Sequence, residues 1–134
     1  MAANGASDDS RIRGLILHDP ALGMGYGMLP PNGAKSRTPT ISYVSDEYNR
    51  ARVRYGDLTL HLKGCKRGNF VDAPLWAPGW VMRPLSLLIP ASGSADPVRA
   101  HEQLAESAAA FMESGDPTCE RVMAGNLFEV VDGR

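Results

Sequence analysis

Two short segments on either side of Gly56-Asp57 constrain the fold of this chain more than any other feature. Residues 50–55 and 58–63 each alternate apolar and polar side chains, and the parity of the apolar positions switches across the Gly-X pair. This pattern is typical of two half-buried strands joined by a two-residue hairpin turn. The predicted apolar face consists of Ala51, Val53, Tyr55, Leu58, Leu60 and Leu62. The predicted opposite face is polar and largely basic, with Arg50, Arg52, Arg54, Thr59, His61 and Lys63.

Three further segments also favour extended structure. Residues 12–17 predict a first strand, and residues 80–89 predict another, which Pro84 pushes toward a sheet edge or a bulge because it lacks an N–H group. Residues 119–123 and 127–131 flank Gly125-Asn126, so they predict a second hairpin. The chain is therefore expected to contain five to seven short strands.

One helix is predicted near residues 97–113. Asp96 can cap it, Pro97 suits its first position and Gly115 can end it. Its apolar stripe includes His101, Leu104, Ala105, Ala108, Phe111 and Met112. We therefore expect an α+β fold, a mainly antiparallel sheet against which this helix packs through Leu104, Ala108, Phe111 and Met112.

Composition limits the domain organisation. A length of 134 residues, 43% of them apolar, suffices for a single domain, predicted over residues 11–134 behind a flexible arm at residues 1–10. Gly 14 and Pro 10 favour turns, and two long loops are predicted at residues 20–40 and 64–79. No apolar run approaches the ~20 residues that span a bilayer, and residues 1–10 lack the pattern of a signal peptide. We expect a cytoplasmic protein that binds no membrane, with Cys65 and Cys119 as reduced thiols.

No motif identifies a reaction. The three histidines, His18, His61 and His101, lack the spacing of metal ligands or of a nucleophile and its base, so no catalytic residue, metal or cofactor is predicted. The glycine-rich run at residues 23–27 is followed by two prolines instead of a helix, which disfavours a nucleotide site. The alternative is a small enzyme, or an accessory subunit of a metabolic complex, with a pocket near His18, Asp19 and Tyr26.

Binding to other protein chains is the function that the sequence favours. Loops as long as those predicted at residues 20–40 and 64–79 are uncommon unless they bind something or stay disordered. Rigid aromatic anchors stand in and beside the second loop: Phe70, Trp76 and Trp80. The basic hairpin face would add Arg50, Arg52, Arg54 and Lys63. Because the net charge is −1 and no aromatic side chain interleaves these cations, we expect them to face an acidic protein surface or solvent in preference to nucleic acid.

Residues 80–134 resemble part of a known class of proteins. Arg83, Leu85, Leu87 and Ile89 form an R-x-L-x-L-x-I strand pattern that leads into the capped helix and then a closing hairpin. This order resembles the small β-rich domains of long-tailed bacteriophage tail proteins, of the distal-tail and tail-terminator type. The resemblance implies a ring-forming virion component without an active site, whose loops and arm become ordered against neighbouring copies. The chain lacks the second, sandwich-like domain and the amino-terminal helix of those proteins.

Overall fold

The computed structural model describes residues 9–19, 38–52, 54–71, 73–88 and 93–133. Most of the predicted arm at residues 1–10 lies outside these ranges. The loop predicted at residues 20–40 also lies outside them, apart from its last three residues, and this part includes Tyr26 and the glycine-rich run. Within the described ranges, no helix is long and apolar enough to cross a membrane. Cys65 and Cys119 are free thiols, as the sequence predicts.

A four-stranded mixed sheet forms the centre of the described structure. Its strands lie in the order β1 (Leu15–His18), β2 (Thr40–Val44), β3 (Leu58–Leu62) and β4 (Phe128–Gly133). The first three strands run parallel to one another, and β4 runs antiparallel to β3. The α+β class is confirmed, whereas the prediction of a mainly antiparallel sheet of five to seven strands is wrong for the described residues.

The two central strands are buried on both faces. Every residue of β2 and of β3 is buried, including Thr59 and His61, which the alternating pattern predicts on an exposed polar face. A short helix, α1 (Asp46–Arg50), contacts both strands. Strands of a parallel sheet are commonly covered on both faces, and polar side chains within them are then buried with hydrogen-bond partners. The predicted division into an apolar and a polar face is therefore wrong.

The predicted hairpin around Gly56-Asp57 is also wrong. Residues 50–55 contain the end of α1, a turn at Ala51-Arg52 and the approach to β3, and β3 pairs with β2 in parallel. A parallel pair requires a crossover connection, which residues 45–57 provide. The Gly56 backbone has a φ of +91°, and a Cβ atom there would lie 2.8 Å from the Thr40 carbonyl oxygen. Gly56 thus permits the close approach of the crossover to β2.

The long helix α4 (Pro97–Ser114) forms as its sequence predicts. The Asp96 side chain accepts a hydrogen bond from the Arg99 N–H, and Gly115 ends the helix in the left-handed conformation. The helix buries Ala100, Leu104, Ser107, Ala110 and Phe111. Met112, a predicted packing residue, is 71% exposed, so the buried stripe is rotated toward Ser107 and Ala110.

The loop predicted at residues 64–79 and two predicted extended segments contain helical structure. Residues 64–79 contain a 3₁₀ turn at Arg67–Phe70 and the short helix α2 (Ala73–Trp76). Helix α3 spans Gly79–Leu88 and contains Pro84, in place of the strand predicted at residues 80–89. Near the end of the chain, α5 (Glu120–Met123) replaces the first strand of the second predicted hairpin. The strand that carries the resemblance to tail proteins is therefore a helix, and the order of helix α4 followed by a strand is retained.

Candidate functional site

The carboxyl ends of the three parallel strands meet at one edge of the sheet. His18 ends β1 and is followed by Asp19, β2 is followed by Ser45 and α1, and β3 is followed by Cys65 and the 3₁₀ turn. Loops at the carboxyl ends of parallel strands carry the binding residues of many open α/β sheets. This edge is also where we find buried polar atoms without hydrogen-bond partners.

Asp19 is the most constrained side chain at this edge. Asp19 is only 3% exposed. Its backbone has a φ of +39°, which is uncommon for a residue other than glycine. The Asp19 N–H donates to the Tyr43 carbonyl oxygen at 3.0 Å, and Oδ1 accepts from the Ser45 N–H at 2.7 Å. Oδ2 is buried and has no hydrogen-bond partner. One carboxylate oxygen therefore organises the start of α1, and the other remains open.

Glu47 places a second carboxylate near Asp19. Its Oε2 atom is likewise buried without a partner. Burial raises the pKa of Asp19; hydrogen bonds from Ser45 and the positive charge of Arg67 oppose this shift, and the negative charge of Glu47 adds to it. Arg67 belongs to the 3₁₀ turn and is exposed.

The same 3₁₀ turn contributes Phe70 to an aromatic cluster with His18. The His18 ring stacks on Phe70 with 5.3 Å between ring centroids and meets Tyr43 edge-on at 5.4 Å. Burial lowers the pKa of His18, and the charge of His101 lowers it further. The Nε2 atom of His101 is also buried without a partner. Phe70 is half-buried and packs against the core, and its role as an anchor for a partner stays a prediction.

Asn69 fixes the position of this turn. Its Oδ1 atom accepts hydrogen bonds from the N–H groups of Lys66 at 2.9 Å and Gly93 at 2.7 Å, and the residue is 1% exposed. The side chain thereby joins the 3₁₀ turn to the segment that leads into α4. No motif in the sequence marks Asn69, because its two partners are separated by 27 positions along the chain.

A chain of polar contacts lies beside the edge and involves His61. Arg54 donates to Oδ1 of Asn49 at 2.9 Å, which leaves the Asn49 amide nitrogen 3.1 Å from Nδ1 of His61. His61 Nε2 lies 2.8 Å from Oδ1 of Asp46. The Asn49 amide nitrogen can only donate, so it pairs with an Nδ1 that carries no proton, whereas Oε2 of Glu129, 3.3 Å from the same Nδ1, pairs only with an Nδ1 that carries a proton. Both ring nitrogens are engaged, so His61 joins β3 to α1 and is not a free base.

The basic residues predicted to share one strand face are dispersed. Arg50 ends α1, Arg52 lies in the following turn with a φ of +53°, and Lys63 follows β3. These three residues are exposed. Arg54 is half-buried and donates to Asn49, so it is part of the contact chain of His61. The predicted basic hairpin face is therefore absent, although three of its four cations remain accessible.

An exposed apolar surface lies on the segment between the 3₁₀ turn and the end of α3. Trp76 is 81% exposed and Trp80 is 78% exposed. Leu87, which follows Trp80 by two helical turns, is 88% exposed. We define the aromatic surface as Val71, Leu75, Trp76, Trp80, Leu85 and Leu87. Two of the three predicted aromatic anchors thus belong to an exposed apolar surface.

Two cavities border α4 away from the carboxyl edge. One, of about 340 Å³, is lined in part by Gln103, Ser107 and Arg121. The Gln103 side chain is already hydrogen-bonded to Asn126 and to the Leu127 N–H, and the Ser107 hydroxyl donates to the Val122 carbonyl oxygen. The other, of about 310 Å³, is mainly apolar and lies beside β1. Neither cavity contains one of the unpartnered buried atoms.

The described residues provide no group of three or more His, Cys, Asp or Glu side chains arranged to hold a metal ion. The carboxyl edge therefore contains buried polar atoms without partners, and the aromatic surface offers apolar area for a macromolecule. No protein-family model matches this chain, and no curated protein matches it.

Proposed function

We propose that this chain is a non-enzymatic assembly protein whose copies associate through the aromatic surface. The observation that supports this proposal is the exposure of Trp76 and Trp80, 81% and 78%, only four positions apart. Tryptophan buries on the order of 200 Å² when it is covered and is enriched among the residues that dominate binding energy. Two such side chains in water are costly for a monomer and favour a bound state.

The helical spacing of α3 extends the surface beyond the tryptophans. Trp80, Pro84 and Leu87 are separated by four and three positions, so they lie on the same side of the helix, and all three are exposed. A standard interface buries ~800 Å² on each partner, and a fully covered tryptophan buries on the order of 200 Å², so the two exposed tryptophans alone could supply a large part of that area.

A second copy of the chain is the partner that the charge distribution favours. Between positions 71 and 88, the span of the aromatic surface, the sequence has two ionisable residues of opposite charge, Asp72 and Arg83. In a two-fold symmetric contact the same patch faces itself, so a nearly uncharged patch avoids repulsion between like charges. The exposed cations Arg50, Arg52 and Lys63 lie elsewhere, and we propose that they contact an acidic protein surface in the assembled state.

A ring of copies, as in a bacteriophage tail, is the finer form of this proposal. It rests on the resemblance in the carboxyl-terminal part of the sequence, and its signature is a closed ring in electron micrographs of the concentrated protein. Open or paired assemblies would leave the association through the aromatic surface in place and overturn the tail assignment.

Hydrogen exchange measured at increasing protein concentration tests the self-association directly. We expect the amides of residues 73–88 to become protected as the concentration rises, while the exposed turn at residues 116–118 keeps its exchange rate. Protection of residues 73–88 that appears only with lipid vesicles would assign the aromatic surface to a membrane and contradict the proposal. Protection that rises with concentration only outside this segment would contradict it as well.

A second candidate function is supported by a separate observation. The buried, unpartnered Oδ2 of Asp19, beside His18, favours binding of a small molecule, as in a small enzyme or an accessory subunit of a metabolic complex. Perturbed and unsatisfied polar groups at the carboxyl ends of strands are common in ligand sites. Saturable changes in the amide resonances of residues 18, 19 and 47 on addition of small molecules would test this candidate.

A further inference from the structure

We propose that the apolar cavity bordered by β1 and the carboxyl end of α4 binds a small apolar carboxylic acid, whose carboxylate contacts Arg13. The cavity has a volume of about 310 Å³, and the residues that line it are Arg13, Gly14, Ile16, Phe111, Met112 and Gly115. This inference goes beyond the association of copies through the aromatic surface. It also concerns a different part of the fold from the carboxyl edge of the sheet.

The cavity has an apolar lining and the size of a small ligand. Phe111 is 2% exposed and Ile16 packs against the core, whereas Met112 is 71% exposed and belongs to the rim. A Cβ atom at Gly14 would lie 3.0 Å from the Phe111 ring, so the ring lies directly against the backbone there. An apolar cavity of about 150 Å³ holds benzene, and ligand cavities begin near ~300 Å³. The volume therefore suits one substituted ring or a short alkyl chain.

Arg13 gives this apolar cavity a positive charge. Its side chain is exposed, and among the described residues it has no hydrogen bond or ion pair. Arg11, two positions earlier, is in contrast paired with Asp9 at 2.7 Å. A guanidinium group presents its N–H donors in a planar fork that matches the two oxygens of a carboxylate. An accessible, unpaired guanidinium beside an apolar cavity thus favours a ligand that is apolar at one end and anionic at the other.

The negative groups near the cavity are weaker or already engaged. The carboxyl end of α4 is equivalent to about half of a negative elementary charge, whereas the guanidinium carries a whole positive one. The Glu113 carboxylate is paired with Arg121 at 2.9 Å. The Asp116 carboxylate accepts hydrogen bonds from the N–H and the hydroxyl group of Thr118. The charges that border the cavity therefore favour an anion over a cation.

Backbone donors at the edge of the sheet add to the contribution of Arg13. Among the described strands, β1 pairs only with β2, and the Leu15 N–H donates to the Pro39 carbonyl oxygen at 2.9 Å. Because successive residues of a strand direct their N–H groups to opposite sides, those of Gly14 and Ile16 point away from β2. Strand β1 has only four residues, so its open edge is short for pairing with an extended peptide. A small acid is therefore the better occupant.

Calorimetry and nuclear magnetic resonance titrations of the full chain test the inference. The probes are sodium benzoate and sodium octanoate. Sodium acetate lacks the apolar body, and benzyl alcohol and benzylamine keep the ring without the negative charge. We expect saturable binding of at least one of the two apolar acids, with shifted amide resonances at residues 13–16 and 111–115. The three comparison compounds should bind at least about tenfold more weakly.

Three variants locate the site. Arg13→Gln removes the charge of an exposed side chain, and we expect at least about a tenfold loss of acid binding, with a melting temperature within about 2 °C of the wild type. Arg99→Gln removes an exposed arginine near the other end of α4 and should leave binding unchanged. Trp80→Ala removes part of the aromatic surface and should also leave binding unchanged.

Several results would overturn the inference. Absence of saturable binding of both acids would do so, as would binding that persists in Arg13→Gln or a large fall in the melting temperature of that variant. Benzyl alcohol or benzylamine that binds as tightly as benzoate would show that the cavity does not select an anion. Loss of binding in Trp80→Ala would place the acids on the aromatic surface. Tighter binding of an acetylated glycyl-glycyl-phenylalanine peptide than of both acids would assign the cavity to the end of a partner chain.

Discussion

The Nε2 atom of His61 lies 2.8 Å from Oδ1 of Asp46, so a residue in the middle of the buried sheet is hydrogen-bonded to the first turn of α1. Asp46 Oδ1 also lies 3.3 Å from the Gly64 N–H, and the Asn49 amide completes the contacts of the imidazole ring. A Glu129 carboxylate oxygen from β4 lies 3.3 Å from Nδ1. The Asp46 and Asn49 contacts join β3 to the crossover between β2 and β3.

Replacement of His61 should therefore destabilise the fold. His61→Phe leaves the Asp46 carboxylate and the Asn49 amide without this partner, and we expect a loss of about 2–4 kcal/mol in the free energy of unfolding. Urea denaturation followed by circular dichroism measures this change. Lys63→Gln, an exposed replacement two positions further on, serves as the control and should change stability by less than about 0.5 kcal/mol. Equal effects of the two variants would contradict the buried contact chain.

Neighbouring positions of β3 provide a second test. The alternating sequence pattern predicts that Leu60→Asp unfolds the domain and that Thr59→Asp is nearly silent. In the structure Thr59 is 1% exposed and Leu60 is fully buried, so we expect both aspartates to cost more than about 3 kcal/mol. Val130→Asp, on the paired and 49% exposed position of β4, should be tolerated. If Thr59→Asp left the melting temperature unchanged, Thr59 would lie on an exposed face, as the hairpin prediction requires, and the burial of β3 on both faces would be contradicted.

The contrast at Thr59 illustrates which parts of the fold could be predicted from the sequence. Helix α4 was predictable because Asp96, Pro97 and Gly115 mark its ends locally. The order of the strands was not predictable. A strand that is covered on both faces can contain Thr59 and His61 and still show an alternating pattern, so the pattern alone suggested a hairpin with one exposed face. Periodicity reports burial on one face only when the other face is exposed to water.

The α3 segment shows a different limit. Residues 80–89 alternate in a way that suits a strand, and Pro84 argues against both a central strand and an ordinary helix interior. A short apolar segment of this kind is ambiguous between helix and strand, and the sequence carries no local signal that most of its side chains are exposed while Met82 is buried. Trp76 and Trp80 were nevertheless predicted as anchors, because a domain of this size can bury such rigid aromatic side chains only partly and aromatics contribute much of the energy of interfaces.

The candidate site was predictable only in part. His18 and Asp19 stand next to each other after a predicted strand, which is why they enter the alternative pocket. Glu47 and His101 could not be added, since they are brought near these residues by the parallel pairing of β1 with β2 and by the packing of α4. Long-range pairing of this kind leaves no trace in the spacing of residues along the chain.

The ionisation of Asp19 predicts a pH dependence of stability. Burial raises the pKa of Asp19 above its ordinary value of 3.8, so the folded chain retains this proton to a higher pH than the unfolded chain. The stabilisation from the protonated form is therefore present below pH 3.8 and is lost as the pH rises through the raised pKa. Asp19→Asn cannot ionise, and we expect it to be more stable than the wild type near neutral pH.

Urea denaturation of both proteins across this pH range provides the measurement. The difference between Asp19→Asn and the wild type should grow as the pH rises above 3.8. His18 has a lowered pKa and therefore contributes a pH dependence of its own, but it is present in both proteins and cancels in the difference. A variant that is less stable than the wild type near neutral pH would show that the Asp19 charge is already compensated within the fold.

The two thiols should differ in reactivity. Cys65 is fully buried, and burial together with the negative charge of Asp46 raises its pKa to about 11. Cys119 is only partly buried. Because the thiolate is the reactive form, a thiol reagent at mildly alkaline pH should modify Cys119 first and Cys65 only after unfolding. Mass spectrometry over time distinguishes this order from two thiols that react together, which would contradict the burial of Cys65.

Self-association through the aromatic surface is tested most directly by sedimentation velocity of Trp76→Ala and Trp80→Ala, with thermal unfolding of the same samples. Met112→Ala, which removes a 71% exposed side chain from α4, is the matched control. We expect the wild type and the control to sediment faster as concentration rises, and both tryptophan variants to remain monomeric with melting temperatures within about 4 °C of the wild type. Unchanged sedimentation of the tryptophan variants, together with a large fall in their melting temperatures, would show that these side chains stabilise the fold and would contradict the proposed interface.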